Sequence, residues 1–282
     1  MYDRRLPFIY YNEQRMIRIG LELEYLWDPT TVQYGAISTH LAMIGLIKDT
    51  EKIPYIDMRK IVRKYISSSF DFFEVVEDGE LEELVFPPYT SDQLEGLRPK
   101  FNTLFNFLST YGFKVVGDKP IGCHHSIDLD LFNLNSFEHF FQCVFDIRKV
   151  LYDIAKRTGR STRKSDMIHM IGDIHKYHNE EEHKIMFKTY LDLLKVGFKS
   201  KTNINVLNTT LLPRSKKTKK ILNILQLEWY NSVTNFTDMM IQIEFTESLV
   251  AFTLGPDRGY DAYIKFIRER GSYDRLASTL RN

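Results

Sequence analysis

Residues 17–27 read Ile-Arg-Ile-Gly-Leu-Glu-Leu-Glu-Tyr-Leu-Trp, and this strict alternation predicts a half-buried strand. Ile17, Ile19, Leu21, Leu23, Tyr25 and Trp27 share the face that a core would cover, while Glu22 and Glu24 share the other. Side chains two apart on a strand are separated by roughly 7 Å, so two long carboxylates so placed can converge on a shared pair of cations, a geometry that suits magnesium. The simpler alternative is a pair of solvated glutamates on the outer face of an antiparallel sheet. What the neighbouring strands bring to the same face decides between the two.

The chain around this strand has 282 residues, 43% hydrophobic and 13% aromatic, enough to bury a large core. A single domain over residues 1–282 is expected, with a helical elaboration at about 136–198 and a basic loop at 213–220. Its 38 basic and 37 acidic residues leave a formal charge of +1, so nothing at whole-chain level calls for nucleic acid or an anionic membrane. Cys123 and Cys143 make neither a disulfide framework nor a cysteine-rich zinc site. The first residues lack the apolar core of a signal peptide, and every hydrophobic segment is interrupted well before membrane-spanning length. A reducing cytoplasm is the expected location, and no membrane partner is expected.

Strands and helices are mixed rather than alternating as regular βαβ units, which favours an α+β architecture. Phe70 to Val76 and Leu81 to Phe86 read as strands flanking the turn signal Asp78-Gly79, and Pro87-Pro88 ends the second. Ser91 or Asp92 caps an expected helix through Thr110, kinked or split at Pro99. A short strand over Phe113 to Val116 and another over Gly122 to Leu129 follow. Helical spacing then predicts helices over Ser136 to Lys156, Glu180 to Val196 and about Lys219 to Tyr230, with a last one from about Tyr260. Asn203 to Leu207 and Met239 to Val250 read as later strands.

Three more segments bring polar chemistry to strands. In Gly122-Cys123-His124-His125-Ser126-Ile127-Asp128, alternation sets His124, Ser126 and Asp128 opposite Cys123, His125 and Ile127. An imidazole in that company is able to ligate a cation or donate to a phosphate oxygen; alternatively it is a structural histidine satisfied by a carbonyl. Glu83 precedes the apolar strand end at Pro87-Pro88 and, taken alone, is a solvated carboxylate. In Ile241 to Thr246, Gln242, Glu244 and Thr246 fall together opposite Ile241, Ile243 and Phe245.

The order of these motifs resembles that of the amidoligases, which group with glutamine synthetase and the glutamate–cysteine ligases. Gly20-Leu21-Glu22-Leu23-Glu24 is similar to the family's G-x-E-x-E strand, Glu83 with Pro87-Pro88 to its E-x-x-x-P-P-like segment, and Gly122-Cys123-His124 to the start of its G-x-H-x-H strand. Asn205 matches the v-N-l strand and Glu244-Phe245 the late E-F-R strand. Two positions depart from the pattern: Ser126 stands where the family has a second histidine, and Thr246 where it has arginine. Arg157, Arg160 and Arg163 lie in a segment similar in place to an arginine-bearing segment of the family; an exposed basic loop is the other reading.

The resemblance implies a strongly curved, mainly antiparallel sheet with helices on its convex side and the site residues on its concave face. It implies an ATP- and magnesium-dependent ligase joining a small-molecule or peptide carboxylate to an amine. Glu22, Glu24, Glu83 and Glu244 would hold magnesium, with Glu83, His124 and Asn205 serving catalysis. His124, Ser126, Arg157 and Arg160 would meet the nucleotide. The chemistry is coherent, because magnesium held by carboxylates neutralises transferred phosphate charge. The sequence has neither a Walker signature nor a G-x-G-x-x-G run.

Two further clusters have plainer readings. His169, His175, His178 and His183 suggest a transition-metal site by their number, but their spacing is irregular, no H-E-x-x-H pattern appears and Lys and Glu residues surround them, so they read as solvated. Arg214 to Lys220 is a basic run without interleaved aromatic residues, which reads as a solvated connection. That run is the handle for a rival function, a catalytically inactive ligase fold acting as a nucleic-acid or protein-binding module.

Overall fold

The computed structural model describes residues 16–48, 53–115, 121–128, 202–204, 209–214 and 221–280, with Leu131, Phe132, Ser136, His139, Phe140, Cys143, Val144, Asp146, Ile147, Val150, Leu151 and Ile154. Among these residues the chain runs β1 (Ile19–Trp27), α1 (Thr31–Met43), α2 (Tyr55–Ser69), β2 (Glu74–Asp78), β3 (Leu81–Tyr89), α3 (Ser91–Gly96), α4 (Arg98–Thr110), β4 (Phe113–Lys114) and β5 (Gly122–Asp128). It continues through β6 (Thr202–Ile204), β7 (Thr209–Arg214), β8 (Ile221–Asn231), α5 (Phe236–Leu254), α6 (Tyr260–Glu269) and α7 (Asp274–Thr279). The fold is α+β. One sheet runs in the order β2-β3-β1-β5-β8-β7-β6, with β4 beside β1, and every described pairing is antiparallel.

Strand β1 lies inside the sheet, and its alternate residues explain why. Ile19, Leu21, Leu23, Tyr25 and Trp27 are all buried, on the face covered by helices. There Tyr25 Oη donates to Val233 O at 2.7 Å and Trp27 Nε1 to Tyr111 O at 2.8 Å. Helix α2 reaches this face through Arg59 and Arg63, whose guanidinium groups each meet the buried Glu82 carboxylate at 2.6 Å. Phe101 on α4 stacks on Phe86 and meets Phe236 at the start of α5, extending the aromatic core across the helical layer.

Local signals account for several element ends. Thr30 and Gln33 form a capping box at α1, and Thr90 with Gln93 another at α3, one residue ahead of the expected cap. The expected helix from Ser91 to Thr110 is split at Leu97, with Pro99 in the first turn of α4, where its missing N–H costs nothing. Gly112 follows α4 with φ of 77°, and a Cβ there would meet Pro29 Cα at 2.5 Å, so only glycine fits. Strand β2 begins at Glu74, later than the aromatic run at Phe70 suggests, because Phe72 and Phe73 turn into the core with Phe86. Helices α1 and α2 have no counterpart in the sequence reading.

Two expected elements exchange character. The helix expected over Lys219 to Tyr230 is strand β8, and the strand expected over Met239 to Val250 lies within helix α5. Leu225, Leu227 and Trp229 are buried in β8, an alternation that a helical reading overlooks. Helix α5 is buried nearly all round, from Met239 and Met240 to Thr253, so no polar stripe marks its period. Asn235 caps it, its side chain accepting from the Asp238 N–H at 2.9 Å.

Candidate functional site

The antiparallel register sorts the polar face of the sheet into rows, because directly opposed residues share a face. In one row Glu22 on β1 is opposite Val85 on β3 and His124 on β5. In the next, Glu24 is opposite Glu83. In a third, Gly20, Ser126 and Gln226 line up across β1, β5 and β8. The two glutamates that alternation placed together in β1 therefore meet Glu83 and His124 from the strands on either side.

One ligand atom each from Glu22, Glu83 and His124 lies within 4.8 Å of the others, an arrangement able to hold a metal ion. His124 Nδ1 is 3.4 Å from Glu22 Oε2, and His124 Nε2 is 3.7 Å from Glu24 Oε1. Gln226 Nε2 donates to Glu22 Oε2 at 2.6 Å, and the Gly122 N–H donates to the Glu24 carboxylate. These contacts orient the carboxylates from behind, as partners outside a metal's own shell commonly do. The donor set of two carboxylates with one imidazole fits magnesium or manganese.

Electrostatics point the same way. Burial, reinforced by the Glu22 charge and hydrogen bond, pushes Glu83 up to about 8, so its carboxyl holds a proton at neutral pH. Burial opposes the charged form of His124, but the hydrogen bond to Glu22 and the charges of Glu24, Glu22 and Glu228 outweigh it and raise the imidazole. The proton on Glu83 thus offsets negative charge that a cation would otherwise balance.

Glu228 and Gln226 are absent from the sequence-derived site because β8 was expected to be a helix. The β5–β8 register slips between Cys123 and His125: His125 faces Leu227 and Cys123 faces Tyr230, leaving Glu228 and Trp229 across from His124. Alternation from Gln226 sets Glu228 on the polar face, and the bulge leaves it across from His124, where its charge reaches the imidazole. The signal was the alternation Leu225-Gln226-Leu227-Glu228-Trp229.

The remaining expected residues divide in four. Ser126 lies on the polar face, as does the exposed Asp128 opposite Ile224. His125 lies on the other face, buried, with Nδ1 2.7 Å from Thr246 Oγ1 and its ring against Tyr230; burial pushes its pKa down to about 3. Glu244 and Thr246 belong to helix α5 rather than to a strand, and Glu244 is not brought to the cluster. Its carboxylate instead accepts from Arg275 Nη1 at 2.6 Å and the Leu276 N–H at 2.9 Å. Asn205, Arg157, Arg160, Arg163, the histidines from His169 to His183 and the basic run beyond Arg214 lie outside the described residues.

No protein-family model, curated protein or solved structure matches this chain. Among the described residues no helix is long and apolar enough to cross a membrane.

Proposed function

We propose that the polar face of β3, β1, β5 and β8 is the active site of an ATP- and divalent-cation-dependent carboxylate–amine ligase. The observation that carries the reading is the convergence of Glu22, Glu83 and His124 within 4.8 Å. Glu24 and Glu228 extend the anionic surface, and the order of the first three motifs, at Glu22 and Glu24, at Glu83 and at His124, supplies the reaction class. In this reading the sheet is strongly curved, as in glutamine synthetase-like folds, with the cluster on its concave side.

Bound magnesium would neutralise the phosphate charge of ATP. The chain's own residues divide the remaining tasks. With a cation bound, Glu22, Glu83 and one ring nitrogen of His124 would hold it, Glu24 and Glu228 add negative charge beside it, Gln226 fixes the Glu22 carboxylate, and the other ring nitrogen of His124 donates toward a phosphate oxygen. The γ-phosphoryl group passes to a substrate carboxylate oxygen, releasing ADP. The amine nitrogen then attacks the acyl carbon, the carbon–oxygen bond to phosphate breaks, phosphate leaves with the electron pair, and the nitrogen sheds a proton. The need for ATP assigns the protein to the cytoplasm.

The test is thermal unfolding with magnesium, ATP, both or neither. Stabilisation that needs both is the expected result. A well-folded protein indifferent to the combination overturns the ligase reading.

A further inference from the structure

The row beyond the cluster ends in an unexplained residue. Asn231 is opposite Gly122 in the β5–β8 register. Continuing the β1–β5 register from Leu23↔Cys123 places Glu24 on the other side of Gly122, in agreement with the Gly122 N–H that donates to the Glu24 carboxylate. Across three strands the row therefore carries a carboxylate, a residue without a side chain, and a carboxamide.

Asn231 reaches this face only through the bulge in β8. Glu228 and Asn231 are three apart and would fall on opposite faces of a regular strand; the extra residue opposite His124 restores both to one face. The backbone there is held from both sides: the Asn231 carbonyl accepts from Gln242 Nε2 at 3.0 Å, and the Ser232 N–H donates to Ile121 O at 3.3 Å. The side chain is another matter. Asn231 is 2% exposed, and neither Nδ2 nor Oδ1 has a hydrogen-bond partner. Buried amides are ordinarily paired, because leaving one unpaired is expensive. This unpaired amide lies in the same row as Glu24, one strand beyond Gly122, with its donor and acceptor both unused.

We infer that Asn231 is a substrate-binding residue of this site, reading a ligand that presents an acceptor and a donor together: the carboxylate and ammonium groups of an amino acid. Nδ2 donates to the carboxylate and Oδ1 accepts from the ammonium. Glu24, one strand position beyond Gly122, favours the cationic end of such a ligand. The inference rests on the ligase reading for the identity of the site, since that reaction joins a carboxylate to an amine.

The experiment compares wild type with Asn231→Leu and Asn231→Asp, using manganese alone and each of the common L-amino acids as probes. Manganese affinity by calorimetry is expected to stay within about 2-fold in Asn231→Leu, because the cation ligands are untouched. Leucine removes an unpaired buried amide, so apo Asn231→Leu should unfold roughly 2–4 °C higher than wild type. At least one amino acid should stabilise wild type against heat, with affinity lowered about 10-fold or more in Asn231→Leu and lowered also in Asn231→Asp, whose carboxylate cannot donate to that of the ligand and repels it. Blocking the amine or the carboxylate of that amino acid should abolish its effect. No response of wild type to any amino acid, or an undiminished response in Asn231→Leu, overturns the assignment. Should Asn231→Leu fail to fold, the Asp variant decides alone: its undiminished response overturns the assignment and a weakened one supports it. Loss of manganese binding by wild type would count against the cation site, while the amino-acid response still decides the role of Asn231.

Discussion

Glu24 on β1 and Glu83 on β3 stand directly opposite one another on one face of adjacent strands. Like charges so placed destabilise a sheet; burial first, then the Glu22 carboxylate and to a lesser degree Glu24, hold the proton on Glu83 up to about 8. The folded state therefore binds this proton more tightly than the unfolded chain, whose carboxyl titrates near its ordinary value. The stabilising contribution is complete below the unfolded pKa and is lost as pH rises through about 8. Glu83→Gln mimics the protonated side chain and should remove that part of the slope, gaining stability over wild type toward pH 9. Urea unfolding of the metal-free proteins between pH 5 and 9 checks it; parallel curves would refute the assignment.

A cation should act on the same group in the opposite direction. Glu22→Gln keeps the side-chain size but removes a charge from the metal cluster, so manganese and magnesium affinities are expected to fall about 10-fold or more, equivalent to roughly 1.4 kcal/mol. Gln226 loses a charged acceptor in the same variant, yet the metal-free fold should be no less stable, because one member of a crowded acidic group is gone. Calorimetric titration beside thermal unfolding separates the effects. Unchanged affinity would remove Glu22 from the ligand set.

The two adjacent histidines predict opposite phenotypes. His125 is fully buried against Tyr230 and Thr246, so His125→Ala should cost about 2–4 kcal/mol in stability and leave cation affinity alone. His124→Ala should do the reverse. Because burial holds His125 down at about 3, the folded state resists its protonation. Its contribution is present above the unfolded value near 6.5 and declines as pH falls toward 3. Acid unfolding of His125→Phe, which cannot be protonated, should therefore begin at lower pH than that of wild type.

The contrast between these histidines was legible in the sequence, because alternation in β1 and β5 sets Leu21, Leu23, Cys123 and Ile127 on one face and Glu22, Glu24, Ser126 and Asp128 on the other. Strand β8 obeys the same rule over Leu225 to Trp229, but its apolar spacing also suits a helix, and the bulge opposite His124 depends on pairing that no local pattern encodes. Helix α5 is the converse case. Neighbours bury it on nearly every side, so Ile241, Ile243 and Phe245 alternate by coincidence and Glu244 was read into the metal site. Tertiary burial removes the polarity contrast on which periodicity depends.

Glu244 itself provides the sharpest test of that distinction. Its carboxylate is 1% exposed and is held by Arg275 and the Leu276 N–H, while Arg275 also reaches Glu95 at 2.6 Å. Burial raises the Glu244 pKa, opposed by these partners. Removing Arg275 as Arg275→Met would leave a buried carboxylate short of its cation and should destabilise the protein by about 3 kcal/mol, loosening α7 from α5. Glu244→Gln should be milder, since the amide oxygen still accepts one of the two hydrogen bonds. Both variants should bind manganese within about 2-fold of wild type, as expected for a position that does not share partners with the cluster. Chemical denaturation gives the first quantity and calorimetry the second. A Glu244→Gln protein that folds normally but has lost cation affinity would restore Glu244 to the ligand set.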